Sequence, residues 1–147
     1  MSSIVFKSSS FDRPIFMISN IQIGYSDIGH YFCDIYLLTN HFEVKYKQLD
    51  LYEKQFIFLI KSLSTIPIGS DEYNMELEQI ESQFKIRIEN NSEVDTSIVN
   101  VSILMRDDYC HGKLSVCFAM EKSGIKEIIN QIEAHVTPIN PELWLLF

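Results

Sequence analysis

Cys110, His111 and Cys117 are the nearest this sequence comes to a set of metal ligands. A structural zinc site needs four such donors at close spacing, usually as two pairs, and no second pair is spaced to complete a tetrahedron. No metal or other cofactor is therefore expected, and Cys117 reads as a small buried thiol within an apolar strand. Cys33 has the same character, and three cysteines without metal spacing suit reduced thiols in the cytoplasm. His30, His41, His111 and His135 each fall at a turn or a helix end, with no acid or nucleophile fixed beside them in the sequence. His135 can complement the dipole at a helix C-terminus. The adjacent carboxylates of Asp107 and Asp108 belong to a polar turn, where such pairs are ordinary turn chemistry. There is no glycine-rich phosphate loop, and the basic residues are too scattered to form a nucleic-acid groove with the aromatics. No catalytic residue is predicted, and the chain is expected to bind rather than to catalyse.

The charges are more informative. Twelve basic residues against twenty acidic ones leave a net charge of −8, a field that repels nucleic acid and anionic lipid and attracts basic protein surfaces. Between residues 71 and 95, Asp71, Glu72, Glu76, Glu78, Glu81, Glu89, Glu93 and Asp95 are opposed by Lys85 and Arg87 alone. Glu76 and Glu78 can pair across a hairpin with those two bases, which makes a solvated ladder the plain explanation for part of the run. Asp71, Glu72, Glu81, Glu93 and Asp95 lack such local partners. With Glu76, Glu78 and the aromatics Tyr73 and Tyr109, they form the predicted docking set for a basic protein partner. Phe32 and Tyr36 are equally eligible as aromatic anchors or as core residues.

The elements that position these groups follow from hydrophobic spacing. Ile15 to Ile23 is extended after Pro14, and Ile4 to Phe6 allows a short strand within a Ser-rich lead-in over residues 1–13. Tyr31, Cys33, Ile35 and Leu37 alternate with Phe32, Asp34, Tyr36 and Leu38, apolar on nearly both faces, as in the middle of a sheet. Phe42, Val44 and Tyr46 alternate with Glu43, Lys45 and Lys47. The period then changes: Tyr52, Phe56, Leu59, Ile60 and Leu63 make one helical stripe, with Asp50 placed to cap it and Glu53 completing a box-like pair. Pro67 and Gly69 close that segment.

Two hairpins come next. Met75 and Leu77 face Phe84, Ile86 and Ile88; Val99, Val101, Ile103 and Met105 return as Leu114, Val116, Phe118 and Met120 after a turn over 107–112. Ile125, Ile128, Ile129, Ile132 and Val136 form a second helical stripe that ends before Pro138. The predicted class is α+β: a curved, mostly antiparallel sheet of about seven strands, order βββα-ββββα, with two amphipathic helices on one face.

At 147 residues and 46% hydrophobic content the chain suits a single domain over 1–147. No run of apolar residues is long enough to span a bilayer, and the first twenty residues lack a signal-peptide pattern, so a cytoplasmic protein is expected. The tail PELWLLF, Pro141 to Phe147, carries the sole tryptophan. It must dock on its own domain, on a partner or on a second subunit, because each large apolar side chain gains roughly 1.5–3 kcal/mol on burial.

The stretch FCDIYLLTNHFEVKYKQLDLYEKQFIFLIKSLSTI, Phe32 to Ile66, resembles the strand, turn, strand and helix that open the WapI-type immunity proteins of bacterial toxin systems. MELEQIESQFKIRIE, Met75 to Glu89, resembles that family's hairpin, and KLSVCFAMEKSGIKEIINQIEAHV, Lys113 to Val136, its closing strand and helix. The resemblance implies a cytoplasmic immunity protein that binds and blocks a cognate toxin domain, often a nuclease; the expected action is neutralisation by steric and electrostatic occlusion, by a monomer or weak dimer. The alternative expectation is a small-molecule-binding or enzymatic α+β domain with an apolar pocket near His30, Asp34 and Tyr36. A third is a subunit that self-associates through PELWLLF.

Overall fold

The computed structural model describes residues 3–8, 11–64, 74–78, 83–90, 96–106 and 111–145. It is an α+β fold in which every strand pairing among the described residues is antiparallel. The first sheet is a meander of β1 (Ser3–Lys7), β2 (Ile15–Ile23), β3 (His30–Leu38) and β4 (Glu43–Tyr52), followed by helix α1 (Glu53–Ser64). The second repeats the scheme with β5 (Asn74–Glu78), β6 (Phe84–Asn90), β7 (Thr96–Arg106), β8 (His111–Glu121) and helix α2 (Lys122–His135). One further helical turn, α3 (Pro141–Trp144), follows. The short strand in the lead-in is thus a full partner of β2, which brings the strands among the described residues to eight. Hydrogen bonding divides them into two sheets of four rather than one curved layer.

Alternation sends the expected residues inward. Ile4, Phe6, Phe16, Ile18, Tyr31, Cys33, Ile35 and Leu37 from the first sheet are buried, as are Phe84, Ile86, Ile88, Val99, Val101, Ile103, Phe118 and Met120 from the second. The stripes Phe56, Leu59, Ile60, Leu63 and Ile125, Ile128, Ile132 complete the same core. Phe16 of β2 lies 5.9 Å, ring to ring, from Phe84 of β6 in a tilted contact that joins the two sheets. Helix α2 packs against β1, and Gln131 Oε1 accepts the Val5 N–H at 2.8 Å. An edge donor of the first sheet is thereby satisfied by the second half's helix.

The first sheet departs from simple alternation at two bulges. Register shifts between Ser19 and Gln22 on β2, and between Cys33 and Ile35 where β3 meets β4. Asn20 and Gln48 take positive φ there, 51° and 57°. The Asp34 carboxylate lies between them, accepting from Gln48 N at 2.9 Å and from Asn20 Nδ2 at 3.2 Å. The inward set of β4 consequently changes phase, from the partly buried Val44 and Tyr46 to the buried Leu49 and Leu51.

Three expectations are corrected, the first of them by that phase change. Asp50 is a strand residue, not a helix cap. Tyr52 stands at the N-cap position instead, its N–H donating to Gln55 Oε1 at 2.9 Å, the reciprocal arm of a capping box. The second face of β3, with Phe32, Asp34, Tyr36 and Leu38, is half-buried rather than covered. Cys117 is exposed, because Phe118 and Met120 hold the inner face of β8 and its odd-numbered neighbours point outward. Pro67, Gly69, Cys110 and the turn residues Asp107 and Asp108 lie outside the described residues.

Candidate docking surface

Among the described residues, the buried His30 and Glu53 lie together where β3 begins, β4 ends and the C-terminal tail returns. Glu53, the first residue of α1, is 2% exposed, yet its carboxylate is saturated with donors. Oε2 accepts from the Ile139 backbone N–H at 2.6 Å, the Asn140 N–H at 2.9 Å and the Trp144 indole at 2.8 Å. Oε1 accepts from the Asn140 side-chain amide at 2.9 Å. The Tyr31 hydroxyl is 3.5 Å from Oε2 and donates to the Thr137 carbonyl at 2.6 Å. One carboxylate thus clasps residues 139–144 to the body of the fold, with Thr137 held beside them by Tyr31.

Burial alone would raise the Glu53 pKa. Hydrogen bonds from Trp144, Asn140 and Ile139 outweigh it and hold the carboxyl below its ordinary value, because each stabilises the charged form. Burial and the nearby Glu53 charge push the Tyr31 phenol well above its own. The same balance acts at Cys33, whose thiol is pushed up to about 12 by burial and then by Asp34 and Asp50, leaving it protonated and unreactive.

His30, also 2% exposed, is fixed by the same end of the sheet. Its Nε2 is 2.6 Å from Asp50 Oδ1, and Nδ1 accepts the Tyr25 N–H at 3.2 Å, a pattern that requires the Nε2–H tautomer. Tyr25, Phe32 and Tyr52 surround the imidazole at 5.1, 4.6 and 5.3 Å between ring centroids. A His–Asp pair of this geometry can serve as a base, but here neither ring nitrogen is left to accept a proton from a third group. Gly24 permits the close packing: a Cβ there would overlap His30 Nδ1 and crowd the Phe32 ring. Gly29, at φ 63°, ends the 3-10 turn Ser26–Ile28, and its carbonyl accepts the Glu53 N–H at 2.8 Å.

With the polar groups turned inward, this end presents apolar side chains outward. Tyr25 is 60% exposed, Ile28 56% and Leu143 36%. Asp27 and Glu142 are exposed next to them in the chain. Ile28, Tyr52 and Leu143 line a hollow of about 410 Å³ with Asp27, Glu53 and Lys54. A second hollow of about 420 Å³ lies between the helices and the tail, bounded by Ile60, Ile129, Val136 and Trp144. Neither is lined by His30, Asp34 or Tyr36, so those three do not converge on either hollow.

The residues singled out from the sequence fare differently. Asp71, Glu72, Tyr73, Glu81, Glu93, Asp95 and Tyr109 lie outside the described residues. Glu76 is exposed on the outer face of the second sheet and pairs with Lys85 at 3.3 Å, while Arg87 pairs with Glu89 at 2.9 Å. Glu78 stands opposite Lys85 in the β5–β6 register. Among these, Glu76 belongs to a charge ladder. His41 and His135 are exposed, and His111 begins β8. Among the described residues no group of three or more His, Cys, Asp or Glu side chains could hold a metal ion, and no helix is long and apolar enough to cross a membrane.

Sequence reading missed Glu53 as a buried acid and Asp50 as the partner of the buried His30. One signal pointed toward the first: the single tryptophan of an apolar tail must find an acceptor for its N–H when it packs. Comparison with family models, with curated proteins and with solved structures finds no match to this chain.

Proposed function

We propose that this chain is a cytoplasmic protein-binding module of the immunity type, which neutralises a basic toxin domain by covering its working surface. The observation that carries the reading is the end of the first sheet. There the buried acid and histidine spend their hydrogen-bonding capacity on holding a loop and a tail in place, and what faces outward is Tyr25, Ile28 and Leu143 beside Asp27 and Glu142. Apolar anchors with an acidic surround suit a basic partner: the anchors supply affinity, and the charges speed encounter. The net charge of −8 acts in the same direction over longer range. The resemblance of residues 32–66, 75–89 and 113–136 to WapI-type immunity proteins supports the same reading, with a nuclease as one class of toxin.

The test is genetic and biochemical. Expression of the domain encoded immediately upstream should arrest growth, and co-expression of this chain should restore it, with the two proteins purifying as a complex. Arrest without rescue, or no complex between the purified proteins, contradicts the proposal.

A further inference from the structure

Glu53 is a buried carboxylate whose hydrogen-bond donors are all neutral: two backbone amides, a carboxamide and an indole. Those dipoles keep it ionised without cancelling its charge, and it lines a hollow open to solvent. Asp27 lines the same hollow, and Glu142 adjoins Leu143 in α3. Lys54 is the cation on that wall, so acids outnumber bases around the opening. The other walls include Ile28, Tyr52 and Leu143, which offer aliphatic and aromatic surface. A lysine or arginine side chain has both properties the hollow asks for, an apolar stem and a cationic head.

We infer that this hollow receives an arginine side chain of the protein partner, its stem against Ile28 and Leu143, its guanidinium over the Tyr52 ring and toward Asp27. The inference rests on the docking reading above and names the partner's contact chemistry. Arginine fits better than lysine because a planar, weakly hydrated guanidinium stacks on an aromatic ring and loses less on leaving water. Leu143 reaches the hollow through the Glu53 clasp, so Glu53 is a positioning residue for the far wall. Lys54 opposes the incoming charge.

The experiment is an amide-shift titration of the full chain by NMR with the peptide acetyl-Gly-Arg-Gly-amide, and in parallel with its citrulline counterpart, which keeps the shape and removes the charge. The arginine peptide should give saturable shifts at Ile28, Gly29, Gln55, Asn140 and Leu143, and the citrulline peptide should bind at least about threefold more weakly. Asp27→Asn should weaken the arginine peptide and Lys54→Met should tighten it, a gain that loss of structure would not produce. Equal affinity for the two peptides, no saturable shift, or shifts confined to the charged outer face of the second sheet would overturn the inference. None of these outcomes uses the upstream-encoded domain, so the inference can fail while rescue by the whole protein stands.

Discussion

Between Ile15 and Tyr52 the first sheet changes register twice, at Asn20 and at Gln48, whereas the strands β6 (Phe84–Asn90), β7 (Thr96–Arg106) and β8 (His111–Glu121) pair without a shift. The two sheets share one plan, four antiparallel strands and a helix, and bury similar sets of aliphatic and aromatic side chains. They differ in where polar groups go. In the second sheet, charges alternate outward into water, where Glu76, Lys85, Arg87 and Glu89 pair with one another. In the first, Asp34 bridges the two bulges, Asp50 holds a buried histidine and Glu53 holds the tail. A buried polar group is costly unless satisfied, so the buried His30 and Glu53, each held by several hydrogen bonds, specify a particular shape at this end of the molecule. The regular sheet acts as a scaffold; the irregular one shapes the surface.

The sharpest way to break this contrast is Glu53→Ala. It removes the acceptor of four hydrogen bonds from a nearly inaccessible site, and should lower unfolding free energy by about 3–4 kcal/mol in a urea titration. Emission of the single tryptophan should shift to the red as Trp144 loses its place against the core. Acid should do the same reversibly. The folded pKa of Glu53 lies below its unfolded value, so the clasp's contribution is complete above roughly pH 4.3 and is lost as pH falls through the folded pKa. Trp144 emission should therefore report an acid transition that is absent in Glu53→Gln, whose tail is released at all pH values.

Asp34→Ala should cost about 1–2 kcal/mol, since Gln48 N and the Asn20 amide lose their acceptor while remaining near solvent. Gly29→Ala should cost about 1 kcal/mol, because a Cβ at φ 63° is strained. At the bottom of the scale, Glu76→Ala and Arg87→Ala should each change stability by less than about 0.5 kcal/mol, as exposed ladder charges do. Should the ladder substitutions cost as much as Asp34→Ala, the contrast between the sheets would dissolve.

The second half was easily read in the sequence, for a physical reason. Phe84, Ile86, Ile88 and Val99, Val101, Ile103 keep strict period two, and α2 keeps its stripe, so local spacing and tertiary burial agree. The first half hid its acids behind a phase change. With Gln48 in a left-handed conformation, Val44 and Tyr46 belong to one phase and Leu49 and Leu51 to the other. Residues 50–53 then read as the start of a helix, although β4 runs on to Tyr52. That shift concealed the pairing of Asp50 with His30, twenty residues away, and left Glu53 looking like a cap partner. A contact such as Glu53 to Trp144 spans ninety-one residues and leaves no periodic trace, beyond an apolar tail in need of a surface.

Which end of the molecule meets the partner decides between the two sheets as docking surfaces. The direct measurement is the affinity of the upstream-encoded domain for Ile28→Asp and for Glu76→Lys, each compared with the unaltered protein. A loss of at least about tenfold for Ile28→Asp, with Glu76→Lys changed less than about threefold, is the predicted result. The reverse order would place docking on the charged face of the second sheet and contradict it.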